Sequence, residues 1–149
     1  MDNRHKSDLD EAARRLIDQA KGARANAHAP YSGFAVGAAV RCARGNLFLG
    51  CNVEISSYSL TMCAERVALF AARAAGSCDI EAIAVVGPGD GGTPTPPCGA
   101  CRQVIWDLAP DAVVYLATPD GAVQTWAAAE LLPEPFGPRQ LDAPREEPS

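Results

Sequence analysis

Apolar and polar residues alternate along this chain with two periods, first helical and then extended. Leu9, Ala12, Ala13, Leu16, Ile17 and Ala20 form one stripe at helical spacing, which predicts a first helix running toward Ala27, capped by Ser7 or Asp8 and ended before Pro30. Ala35 to Cys42 and Asn46 to Asn52 read as two short strands, joined at Ala43-Arg44-Gly45 as a hairpin. A polar connection through Ser56, Ser57 and Ser59 leads to a second helix over Cys63 to Ala75, closed by Gly76. Ile80 to Val86 is a branched apolar run suited to a central strand. The glycine- and proline-rich stretch Gly87 to Pro97 is a loop.

A third helix is expected from Cys98 to Leu108, stopped by Pro110. It is followed by a strand over Ala112 to Ala117, a tight turn at Asp120-Gly121 and a strand over Ala122 to Trp126. Ala127 to Leu132 reads as a short helix. This order predicts an α/β fold, a three-layer α/β/α sandwich around a mixed, mostly five-stranded sheet. The tail from Pro133 is rich in proline and charge, so one domain over residues 1–141 and a disordered tail over 142–149 are expected.

The length of 149 residues is enough to bury a core without disulfide staples. A formal net charge of −5 argues against tracking along a phosphate backbone, and a small or weakly charged substrate fits better. No apolar run approaches a membrane span, and the N-terminus has no apolar signal core, so a cytoplasmic protein with neither a membrane nor a nucleic-acid partner is expected. In a reducing compartment, clustered cysteines bind metal or catalyse more often than they pair. Cys42, Cys51 and Cys78 stand singly in apolar surroundings and read as small buried hydrophobes.

The remaining cysteines are clustered. Cys98 and Cys101 lie three apart at a helix start, so both thiols can point to one side of the first turn. Cys63-Ala64-Glu65 also opens a helix, adding a third thiol and a nearby carboxylate. The positive ends of two helices favour the thiolate forms that zinc needs. Three protein ligands leave one position of a tetrahedral zinc for water, as expected of a catalytic site. A Cys-x-x-Cys pair alone is weak evidence, because it also occurs as a redox motif. With the upstream Cys-Ala-Glu and the proline before the pair, the set resembles the known zinc deaminase pattern, in which the glutamate is not a ligand but moves protons. Three thiolates outweigh a divalent cation, so their charge must be offset. Arg66 is the candidate donor to the sulfurs and Arg102 a weaker one, with an exposed ion pair as the plainer reading of Arg66.

Tyr31-Ser32-Gly33-Phe34-Ala35-Val36-Gly37, Asn52-Val53-Glu54, Cys63-Ala64-Glu65-Arg66, Pro97-Cys98-Gly99-Ala100-Cys101-Arg102-Gln103 and Leu131-Leu132-Pro133 through Phe136-Gly137-Pro138 occur in one order from Tyr31 to Leu141. Taken together they resemble cytidine deaminase of the small, homotetrameric, three-cysteine class. The resemblance implies one zinc per subunit and deamination of cytidine and 2′-deoxycytidine. It also implies a metal held by Cys63, Cys98 and Cys101, with Glu65 as the catalytic carboxylate. Asn52 and Glu54 would bind the ribose hydroxyls, Phe34 would lie against the pyrimidine, and the Ala64 backbone with Glu65 would read the base edge. Tyr58 and Phe136 would reach a neighbouring subunit's site.

Two positions depart from the family pattern: Ile55 replaces a common asparagine and Pro96 a common serine. The first removes a sugar contact from that side chain, whereas a proline carbonyl can still accept a hydrogen bond. Neither His5 nor His28 falls in the motif, which argues against the dimeric class with a histidine ligand. The alternatives are a blasticidin S-type deaminase, a structural zinc module with Cys42 or Cys51 as fourth ligand, and a nucleic-acid editing deaminase. Asn52-Val53-Glu54 favours the free nucleoside, Glu65 favours catalysis, and acidic composition disfavours a nucleic-acid strand.

Overall fold

A computed structural model describes residues 9–76 and 79–142. Asp10 caps α1 (Glu11–Arg24), its carboxylate accepting from the Ala13 N–H at 2.7 Å. The expected caps Ser7 and Asp8, like Cys78 and the tail over 143–149, lie outside the described residues. The buried stripe of α1 is Ala13, Leu16, Ala20 and Ala23. Ala12, assigned to the stripe from sequence, faces out, because the face is centred one residue further on.

Strands β1 (Gly37–Cys42) and β2 (Leu47–Cys51) form the expected hairpin, with Gly45 at φ 88° in its turn. Strand β1 starts two residues later than its apolar pattern suggests. The Ala35 carbonyl accepts from Arg24 Nε, and the Val36 N–H donates to the Asn52 side chain, so both residues leave the ladder. A single 3₁₀ turn (Tyr58–Leu60) interrupts the polar connection before α2 (Ala64–Ala74), which ends at Gly76, φ 84°. Then come β3 (Ile80–Val86), α3 (Gly99–Leu108), β4 (Val113–Ala117) and β5 (Val123–Ala127). A 3₁₀ turn over Ala128–Leu131 takes the place of the expected short helix, and a short α4 (Pro138–Leu141) follows in the proline-rich stretch, where the pattern predicts no element.

The sheet order is β2-β1-β3-β4-β5, with only the β3–β4 pair parallel. Its two faces are filled differently. Toward α1 the sheet presents Ala39, Ala82, Ala84, Val86 and Ala117. Toward α2 and α3 it presents Val40, Ile83, Val85, Val114 and Leu116. Small residues let α1 come so close that a Cβ on Gly37 would lie 2.0 Å from the Ala20 carbonyl oxygen. Branched residues give the other helices a deeper core. The result is the expected three-layer sandwich. Among the described residues, no helix is long and apolar enough to cross a membrane.

Chain direction places the functional end. Strands β2 and β3 each run antiparallel to β1, so they point the same way. The segments leaving them enter α2 and α3, and both helices therefore begin at the same end of the sheet. Gly50 fixes how closely α2 approaches there, since a Cβ would lie 2.4 Å from the Ala64 carbonyl oxygen and 2.6 Å from the Ala68 nitrogen. Backbone cannot yield as a flexible side chain would. Gly50→Ala is expected to cost about 1–3 kcal/mol of stability by overpacking, and to loosen metal retention by displacing the start of α2. Chemical denaturation and zinc content of the purified variant check both effects.

Candidate metal centre

Cys63 is the cap residue of α2 and Cys98 that of α3, with Cys101 in the first turn of α3. The sulfurs of Cys63, Cys98 and Cys101 lie within 4.8 Å of one another, and no His, Asp or Glu joins them among the described residues. The Cys63 and Cys98 sulfurs are 3.8 Å apart. A tetrahedral zinc with Zn–S bonds near 2.3 Å separates its sulfurs by about 3.8 Å, so the donors fit that metal in spacing as well as in chemistry. Cys101 is buried, Cys63 half-buried and Cys98 exposed, which leaves the cluster open on one side. Cys42 is buried elsewhere. Cys51 is half-buried rather than fully packed, its thiol donating to the Asn26 carbonyl. Neither supplies a fourth ligand.

The charge problem posed by three thiols has a visible answer. Arg66 Nη2 donates to the Cys63 sulfur at 3.2 Å. That hydrogen bond raises the Arg66 pKa, keeping the guanidinium charged. Its Nε is buried without a hydrogen-bond partner, so the side chain gives up solvation to face the sulfurs. Arg102 does something else: its Nε donates to the Pro97 carbonyl at 2.8 Å and its Nη1 to the Leu131 carbonyl at 3.0 Å. It ties the loop before Cys98 to the C-terminal segment instead of bonding a sulfur.

In the metal-free cluster the thiols share charge unequally. The hydrogen bond from Cys101, helped by Arg66, pushes the Cys63 thiol down to about 5. The same bond to the Cys63 thiolate, together with burial, pushes Cys101 up. Glu65 is 5% exposed and stands outside the sulfur cluster. Burial raises its carboxyl pKa, the Cys63 thiolate adds to the rise, and its own backbone N–H opposes it. Ala64, fully buried, is the first residue of α2, where N–H groups have no intrahelical acceptor.

The other residues singled out from sequence surround a loop. Phe34 is 43% exposed. Its carbonyl accepts from Asn52 Nδ2 at 2.6 Å, while Asn52 Oδ1 accepts from the Val36 N–H at 2.9 Å. Glu54 Oε1 accepts from the N–H groups of Tyr31 and Ser32, and Oε2 from the Ser32 hydroxyl at 2.6 Å. A cleft of about 360 Å³ is lined by Tyr31, Ser32, Glu54, Tyr58 and Thr61. The rings of Tyr31 and Tyr58 meet edge to face with centroids 5.5 Å apart. Tyr58 and Phe136 are 71% and 59% exposed. Ile55 and Pro96, the departures from the family pattern, are both exposed. Gln103 Nε2 donates to the Phe136 carbonyl at 2.9 Å, and Gly137 packs where a Cβ would strike Trp106. Ser32 and Gln103 carry no local signal for these bonds, since their partners are 22 and 33 residues away.

A family model described as the cytidine and deoxycytidylate deaminase zinc-binding region matches residues 10–117. The chain is 50% identical over 122 residues to a cytidine deaminase of Halalkalibacterium halodurans, covering 81% of this chain and 91% of that protein. It is 41% identical over 132 residues to a cytidine deaminase of Mycobacterium tuberculosis, covering 88% and 92%. A solved structure of cytidine deaminase from Burkholderia pseudomallei aligns with a TM-score of 0.80 at 49% identity, covering 86% of this chain and all (100%) of that one.

The unequal thiols are testable by alkylation of the metal-free protein. Cys63 is a thiolate above about pH 5 and loses that form below it, so iodoacetamide should label Cys63 ahead of Cys101 at pH 7. The preference should fade as the pH falls through about 5, and bound zinc should block both. Peptide mass mapping reads the order of labelling.

Proposed function

We propose, starting from the fact that this chain belongs to the cytidine and deoxycytidylate deaminase family, that it converts cytidine and 2′-deoxycytidine to uridine and 2′-deoxyuridine with release of ammonia. The observation that carries the reading is the pairing of a three-sulfur cluster with a buried carboxylate that is not part of it. A structural zinc site closes its coordination with a fourth protein ligand, and among the described residues none is at hand.

Zinc held by Cys63, Cys98 and Cys101 would activate water for attack on C4 of the pyrimidine. Glu65 takes the proton from the attacking water and delivers it to ring N3. It then carries a proton to the departing amine, so that water adds, ammonia leaves and the C4 carbonyl forms. A carboxyl whose pKa is raised by burial suits this work, because it holds a proton more readily than an exposed carboxylate does and can still pass it on. Arg66 and the starts of α2 and α3 offset thiolate charge, which would leave a metal held there electrophilic. Phe34 supports the base, the Ala64 backbone reads its edge, and Asn52 and Glu54 take the sugar hydroxyls.

The active enzyme is a homotetramer in which Tyr58 and Phe136 complete a neighbouring subunit's site. Supporting this, both aromatics are largely exposed, and Phe136 is anchored through its backbone carbonyl by Gln103. The catalytic unit spans residues 1–141 and works in cytoplasmic pyrimidine salvage, where thiol ligands stay reduced. A nucleoside fits better than blasticidin S because Asn52 and Glu54 provide hydroxyl-binding groups beside Phe34.

Purified zinc-loaded protein should release ammonia from cytidine and deoxycytidine and give none from free cytosine or blasticidin S; activity on blasticidin S alone would transfer the assignment. Glu65→Ala should keep its zinc and lose about 10²–10⁴-fold or more in kcat. Loss of the metal from that variant would show Glu65 to be a ligand. Arg66→Gln should retain zinc with kcat lowered by about 10-fold, as expected when a charge-assisted hydrogen bond to a ligand is removed; metal analysis beside steady-state kinetics separates the two effects.

A further inference from the structure

The hydrogen bonds around Glu54 form a chain that ends at Phe34. A carboxylate has about four acceptor positions, and three are filled: Tyr31 N–H at 3.0 Å and Ser32 N–H at 3.1 Å on Oε1, and the Ser32 hydroxyl at 2.6 Å on Oε2. The carboxylate can only accept, so the Ser32 hydroxyl gives its proton to Oε2. Its oxygen then accepts the Phe34 N–H at 3.0 Å. Asn52 Nδ2 holds the Phe34 carbonyl at 2.6 Å. The turn between them needs Gly33 at φ 69°, a conformation that admits glycine readily. Phe34 is thus fixed at its N–H through Ser32 and Glu54 and at its carbonyl through Asn52.

We propose that Ser32 is a positioning residue that joins sugar recognition to base recognition, its hydroxyl linking the Glu54 carboxylate to the Phe34 backbone. The inference rests on the nucleoside reading of the site and adds a coupling to it. One acceptor position of Glu54 remains for a sugar hydroxyl, on the same oxygen that Ser32 holds. A hydroxyl arriving there meets a carboxylate already aimed by the loop, and the loop in turn is held with the Phe34 ring in place. The Ser32 hydroxyl and N–H also keep the Glu54 carboxyl below its ordinary pKa, so it stays ionised to accept from the sugar. Because Ser32 is exposed, water can replace its hydrogen bonds without unfolding the protein. Its loss should therefore be felt in substrate binding rather than in stability.

The test compares Ser32→Ala and Ser32→Thr in the zinc-loaded, full-length enzyme. Ser32→Ala should raise KM for cytidine about 5–20-fold with kcat within about two-fold, the signature of lost binding common to ground and transition states. Ser32→Thr, which keeps the hydroxyl, should restore KM to within about three-fold of wild type at an unchanged melting temperature. In the substrate-free protein, hydrogen exchange at the Phe34 amide should speed up in Ser32→Ala and stay slow in Ser32→Thr. An unchanged KM in Ser32→Ala, a threonine variant as impaired as the alanine one, or unaltered Phe34 exchange would each overturn the proposal. Failure of the wild-type enzyme to turn over cytidine would instead overturn the nucleoside reading, and the exchange measurement would still decide whether Ser32 holds the loop.

Discussion

Three sulfurs gathered within 4.8 Å are the constraint on which the rest of this structure depends. As thiolates they would repel one another, and with a divalent cation they would still leave a net negative centre. The fold answers with several modest effects acting together. Two helices begin at the cluster, so the positive ends of their dipoles face it, and Arg66 places a charged donor 3.2 Å from the Cys63 sulfur. An electrophilic metal is needed for water activation, so the same features that stabilise the cluster serve the chemistry. The orphaned Nε of Arg66 is the cost of that arrangement.

Bringing two helix starts to one place requires the sheet. Strands β2 and β3 point the same way with β1 between them, and their outgoing connections deliver Cys63 and Cys98 to the same end. Gly50 sets the approach of α2, and Arg102 ties the loop before α3 to the segment after β5. Residues that touch no sulfur thereby fix where the sulfurs lie. Glu65 inherits its environment from this packing, since the face of α2 that buries Ala68, Leu69 and Ala72 begins at Ala64 and Glu65.

Much of this was legible in the sequence because it rests on local spacing. The Cys-x-x-Cys pair, the Cys-Ala-Glu triplet, the run Ile80–Val86 and the starts of α2 and α3 each carry their signal within a few residues. The beginning of β1 was misjudged because the partners of Ala35 and Val36 are Arg24 and Asn52, which no window around them contains. Ala12 was placed on the wrong side of α1 because alanine is apolar enough to suit either face. The short α4 was hidden by surrounding prolines, although Pro138 at its first turn is a favourable start. The roles of Arg102 and Ser32 share one reason for being illegible: the Leu131 carbonyl that Arg102 holds and the Glu54 carboxylate that Ser32 holds are both distant in sequence.

Hydrolytic chemistry at this cluster requires a zinc with three sulfur ligands and one position open to water. X-ray absorption spectroscopy at the zinc edge of the purified protein tests it most directly. The expected spectrum shows one zinc per chain with three sulfurs at about 2.3 Å and a single oxygen or nitrogen neighbour at about 2.0 Å. Four sulfurs, or two sulfurs with two lighter protein ligands, would contradict it.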